Sequence, residues 1–103
     1  MIPRAPAFCL GDYNADQHSG VYRRILESAV LEDSFDRARE REGDGFPSYT
    51  AYRHLTAPVE DARRIDGIFV TAPVRVLRWE LIRYNRAGRY GSDHLPVCID
   101  ATW

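Results

Sequence analysis

The sequence predicts a mixed α and β domain, and three observations carry the prediction. A short apolar run at residues 5–10 opens the chain as a strand, and two stretches with helical features follow it. Three further apolar runs, at 65–71, 74–84 and 95–102, then read as strands. The order strand, helix, helix and a run of strands fits one domain of 103 residues, and at 45% hydrophobic residues a core is expected.

Each element has its own local reason. Residues 5–10 form an expected buried strand that Gly11 lets turn sharply. Tyr22, Ile25, Leu26 and Ala29 recur at helical spacing opposite Arg23, Arg24 and Glu27, with Asp16 or Ser19 available as the cap. This predicts a helix whose apolar positions belong to the core. A second helix is expected over about 34–42, because Asp33 and Asp36 come early and Arg37, Arg39 and Arg41 late, as the helix dipole prefers. Gly43-Asp44-Gly45 ends it. Residues 46–63 hold Pro47, Pro58 and scattered aromatics, and predict a long loop with at most a short strand near 49–52. Tyr49, Tyr52 and His54 either line a pocket or pack under that loop, and packing is the favoured reading. Ala72-Pro73 and residues 85–88 are turns between the last three strands.

The totals exclude several classes. A net charge of −1 gives no global attraction to nucleic acid, and no apolar run approaches the roughly 20 residues of a membrane span. Residues 1–6 lack an apolar stretch of signal-peptide length, so the chain as written is expected to be cytoplasmic. Every basic residue is Arg, which fits either a GC-rich coding bias or planar phosphate recognition. Cys9 and Cys98 lie in apolar runs and are expected to be buried free thiols rather than a disulfide, and their spacing matches no zinc motif.

Polar chemistry gathers where strands begin or end. Asp93-His94 stands at the mouth of the run 95–99, Asp12 and Asn14 follow the first strand, and Asp66 sits inside a strand-like run where an ionised carboxylate needs a partner. Taken singly each has a plainer reading: Asp12 and Asn14 as a turn, Asp66 as a strand-end acid paired with Arg64 or Arg75, His94 as a structural histidine. Three strands that carry acids and together supply one His and one Asn form a constellation.

In order, Gly11-Asp12-Tyr13-Asn14, Arg64-Ile65-Asp66-Gly67-Ile68-Phe69 and Ser92-Asp93-His94-Leu95-Pro96-Val97 resemble the signatures of the endonuclease/exonuclease/phosphatase superfamily, the deoxyribonuclease-like metal-dependent phosphoesterases. The resemblance runs from about Ala5 to the C-terminus and covers the C-terminal half of that family's domain. It implies an α+β fold, half of a four-layer α/β/β/α sandwich with a mixed sheet backed by helices.

It also implies roles. His94 would be the base or the phosphate-facing imidazole, Asp66 would fix its tautomer, and Asp12 would accept a proton or order the attacking water. Asn14 would donate to a phosphate oxygen, and Asp93 would be a ligand for Mg²⁺, with Mn²⁺ also possible as the ion. Gly67 departs from the large residue usual after the acid and is expected to leave space. The family's metal-binding Glu belongs to a first half with no match here, since Glu27, Glu32 and Glu60 do not fit its motif.

The resemblance therefore implies that residues 1–103 are part of a Mg²⁺-dependent phosphoesterase, inactive and weak in metal binding alone. Nucleic acid, a lipid head group or a sugar phosphate would be its substrate. The apolar residues on both faces of the last three strands predict an exposed sheet face, covered by a missing N-terminal half or by a second copy in a homodimer. The rival reading is a non-catalytic interaction or assembly module.

Overall fold

The computed structural model describes residues 5–103; the leader reading on residues 1–4 lies outside them. Eight elements follow in order: β1 (Phe8–Asp12), α1 (Gly20–Glu27), β2 (Glu32–Asp33), α2 (Ser34–Arg37), β3 (Glu40–Glu42), β4 (Asp66–Val70), β5 (Arg75–Leu81) and β6 (Val97–Thr102). The class is α+β, as expected. The strands form two three-stranded sheets: β1-β4-β2, all antiparallel, and β3-β5-β6, a mixed sheet with β3 parallel and β6 antiparallel to β5.

The core lies where β4 and β5 meet the loops. Ile68, Phe69 and Val70 of β4, Val76, Trp79 and Leu81 of β5, and Val74, Phe46 and Leu95 are buried. Burial of three consecutive β4 residues means that both of its faces are covered. The expectation of an open face is thus corrected for β4, whereas β5 alternates and leaves Leu77 exposed on its other face. Trp79 is the largest fully buried side chain and stands edge-on to Phe35 at 4.9 Å. Trp79→Ala is expected to cost about 3–5 kcal/mol, and urea unfolding followed by circular dichroism checks it.

Local chemistry explains the differences in the helices. Ser19 caps α1, its hydroxyl accepting from the Tyr22 amide at 3.1 Å, while Asp16 holds the turn before it through the His18 amide at 2.8 Å. The helix ends at Glu27, and Ala29 takes a left-handed φ of 59° and is exposed instead of extending the apolar stripe. Tyr22, Ile25 and Leu26 are half-buried.

The second helix stops after one turn. Asp33 caps it through the Phe35 amide, but Arg41 turns back onto the Phe35 and Asp36 carbonyls. Residues 40–42 then extend as β3 beside Arg78, whose guanidinium contacts Glu42, Glu80 and Glu40. An ionic ladder on an edge strand has replaced helix propensity.

The two cysteines are free but exposed. Cys98 points to the outer face of β6 beside Glu80, and Cys9 lies on β1, all five residues of which are exposed. Both strands are sheet edges, so an apolar run here does not imply burial. Among the described residues no helix is long and apolar enough to cross a membrane.

Candidate active site

The register of β1 against β4 brings the site together. Asp12 stands directly opposite Asp66, and Gly11 opposite Gly67. Two carboxylates on one face of adjacent strands repel unless positive charge or a donor lies between them. His94 supplies it. Its Nδ1 is 2.8 Å from Asp66 Oδ2, and its Nε2 is 3.8 Å from Asp12 Oδ2 and 4.0 Å from Asp93 Oδ1. An ionised carboxylate only accepts, so the Nδ1 proton is donated to Asp66 and Nε2 is left facing Asp12 and Asp93. The Asp66 hydrogen bond, helped by the charges of Asp66, Asp12 and Asp93, holds the imidazole pKa above its ordinary value despite partial desolvation.

The remaining candidates are less central. Asn14 has a left-handed φ of 51°, and its amide donates to Asp12 Oδ1 at 2.8 Å in a tight turn. It is exposed, and its carboxamide makes no hydrogen bond to the cluster among the described residues. The turn therefore aims the Asp12 carboxylate. Asp93 is half-exposed, and its carbonyl accepts from the Thr50 amide at 2.9 Å. Gly67 opens no space: Phe69 and Tyr13 fill it, their rings edge-on at 5.3 Å, and an added Cβ would lie 3.2 Å from the Phe69 ring.

Ser48 was not legible as a functional residue. It is fully buried, and its hydroxyl accepts from the Ile65 amide at 2.8 Å and the Asp66 amide at 3.2 Å. Its carbonyl accepts from the Leu95 amide at 2.7 Å, and Tyr49 bridges His94. One residue thus ties the Asp66 strand to the His94 segment. The only sequence signal was a serine beside Pro47 in a long loop. Ser48→Ala strips two partly buried amides of their acceptor, at a cost of about 1–3 kcal/mol, and Ser48→Thr is expected to restore it. Thermal melts of both variants check this.

Asp12, Asp66 and His94 each offer a ligand atom within 4.8 Å of the others. The near oxygen of Asp66 is already engaged by His94, and Asp93 stands outside this set of three. Asp12 is then the freest hard oxygen donor of the set, and a small divalent cation that takes one or two carboxylates, waters and substrate oxygens suits so sparse a cluster. The site opens into a cleft of about 320 Å³ lined by Leu10, Asp12, Asp66, Ser92, His94 and Pro96.

The described residues thus bring an Asp–His pair and two further acids together at an open cleft. The sequence model of the endonuclease/exonuclease/phosphatase family matches residues 2–94, and the chain belongs to that family. The family comprises phosphoesterases, typically dependent on divalent metal.

Similar proteins include nocturnin of Xenopus laevis, 30% identical over an alignment 104 residues long that covers 92% of this chain and 26% of nocturnin. Among solved structures, a mannosyl-6-phosphatase of Bacteroides thetaiotaomicron superposes with a TM-score of 0.79 at 28% identity, covering 97% of this chain and 39% of that one. A family protein of Bacteroides vulgatus superposes with a TM-score of 0.73 at 31% identity, over 94% of this chain and 36% of that one. The chain spans well under half the length of each.

Proposed function

We propose that this chain carries the His–Asp part of a Mg²⁺-dependent phosphoesterase site and turns over little substrate by itself. The observation that carries the reading is the 2.8 Å contact between His94 Nδ1 and Asp66, which leaves Nε2 facing Asp12 at the cleft. His94 Nε2 takes a proton from water as the water oxygen attacks phosphorus, and Asp66 stabilises the imidazolium through Nδ1–H. Asp12 orders that water, and Asn14 donates to a non-bridging phosphate oxygen. The ester P–O bond breaks, and the imidazolium returns its proton to the leaving alkoxide. Mg²⁺ held by Asp93 and Asp12, with Mn²⁺ as substitute, would neutralise charge on the phosphoryl oxygens.

The low activity expected of the chain alone rests on its short coverage of its relatives and on the lack of a match to the family's metal-binding Glu. The partner that completes the site would dock on β1, whether a first half of the same domain or a second copy. Two carboxylates on separate segments make a poor Mg²⁺ cage, so isothermal titration should give millimolar affinity or none. Micromolar binding abolished by Asp93→Asn would overturn this. Incubation with a chromogenic phosphodiester and with mannose 6-phosphate, with Mg²⁺ or EDTA, tests turnover. Fast Mg²⁺-dependent hydrolysis lost in His94→Ala would refute the low-activity reading and keep the dyad.

A further inference from the structure

The pairing of β1 with β4 ends at Asp12 and Asp66, yet the segments that continue from them stay side by side. Tyr13 donates its amide to the Ile65 carbonyl at 2.9 Å, and past that point the chain is irregular on both sides. A single side chain makes the next link. Gln17 donates from Nε2 to the Ala62 carbonyl at 2.8 Å and accepts at Oε1 from the Arg64 amide at 2.8 Å. The two partners fix which end of the carboxamide is which, because a carbonyl needs a donor and an amide N–H an acceptor. Gln17 thereby serves residues 62–64 as a neighbouring strand would, satisfying one carbonyl and one amide with one planar group. Ala62 is buried and Gln17 half-buried, so backbone groups that lost this partner would be poorly hydrated. Two ion pairs flank the link, Arg63 with Asp16 at 2.8 Å and His18 with Asp61 at 2.7 Å. Arg63, His18 and Asp61 are exposed, and pairs of that kind contribute little. The carboxamide is the specific tie.

What it holds is the turn that aims the site. Between Asp12 and Gln17 the backbone passes through Asn14 at a left-handed φ of 51°, and the Asn14 amide donates to Asp12 Oδ1 at 2.8 Å. Tyr13 anchors one end of this turn and Gln17 the other. On the facing segment, Arg64 lies two residues before Asp66, whose carboxylate accepts from His94 Nδ1 at 2.8 Å.

We propose that Gln17 is a positioning residue, which ties the Asp12–Asn14 turn to the backbone leading into Asp66 and so keeps both residues in register with the Asp66–His94 pair. The inference rests on the phosphoesterase reading, in which Asn14 meets a phosphate oxygen and Asp12 the attacking water. Gln17 touches neither; it acts through the turn.

Two variants of similar shape test the link. Gln17→Glu can still accept from the Arg64 amide but sets a carboxylate against the Ala62 carbonyl, and Gln17→Met removes both hydrogen bonds without adding charge. Solvent exchange read by NMR at pH 7 should show the Asn14 amide exchanging about tenfold faster in either variant. Core amides such as Val70 and Trp79 should keep their protection; if Gln17→Glu loses it, Gln17→Met carries the test. With Mg²⁺ and a strongly activated chromogenic diester, Gln17→Met should lower the rate at saturating substrate by about 10- to 100-fold, the scale of a slight misplacement. In an Asn14→Ala background the same change should cost at most about threefold, because groups that act through one another are not additive. A merely structural role would cost the same in both backgrounds, and that result overturns the proposal. Unchanged Asn14 exchange in a folded variant overturns it too. If His94→Ala keeps the parent rate, the dyad fails and the Asn14 exchange decides the link at Gln17. If His94→Ala loses the rate while Gln17→Met keeps it, the dyad stands and this inference falls.

Discussion

His94→Ala is expected to lower the initial rate of metal-dependent phosphoester hydrolysis about 10²–10⁴-fold, the usual contribution of a positioned proton-transfer group. Asp66→Asn should fall about as far, because a carboxamide can hold the imidazole with the wrong nitrogen protonated. The double variant should be little worse than either single one, since the two groups act as a unit. A strongly activated chromogenic diester makes even slow turnover by this chain measurable. Equal rates for the parent and His94→Ala would remove the dyad from the mechanism.

The pH profile carries the sign. A base must be unprotonated, and the Asp66 hydrogen bond raises the His94 pKa, so the rate should rise with pH through an inflection above about 6.5. In Asp66→Asn the inflection should move down. Stability runs the other way: the charged pair contributes fully below about pH 6.5 and is lost as pH rises through the folded-state pKa.

The second large effect concerns association. Phe8 and Leu10 on β1 are exposed with Trp103, which stands edge-on to Phe8 at 5.5 Å, and Leu10 is 66% exposed. Because β1 is also a sheet edge with free backbone groups, the isolated chain is expected to form a homodimer there. Each large apolar side chain is worth about 1.5–3 kcal/mol when buried, and a twofold interface uses it twice. Leu10→Glu should therefore weaken the dimer at least ~100-fold. Light scattering should give twice the monomer mass for the parent and a monomer for the variant. A monomeric, cooperatively unfolding parent would show that this edge needs no cover.

Much of this was legible because the relevant signals are local. The core strands β4 and β5 were apolar runs bounded by turns, and Asp12, Asp66 and His94 stood at or just beyond the ends of β1, β4 and β6. What was not legible depends on pairing. Glu40, Arg41 and Glu42 have no strand character until Arg78 lies beside them. Cys9 and Leu10 look buried until β1 is seen to be an edge. Ser48 acquires its role only when the loop brings it against Ile65 and Leu95. Tyr49 and Tyr52 look packed under that loop until the backbone turns left-handed at Ala51 and leaves both exposed.

The clamp at Ser48 also has a consequence in time. It joins segments that are far apart along the chain, and the three reacting side chains at positions 12, 66 and 94 meet only when two long loops have closed. Local helix adds little, for α1 has eight residues and α2 four. A chain so dominated by distant pairings should refold in milliseconds to seconds rather than microseconds. The Asp66–His94 pairing should be among the last to form, so Ser48→Ala should speed unfolding more than it slows folding.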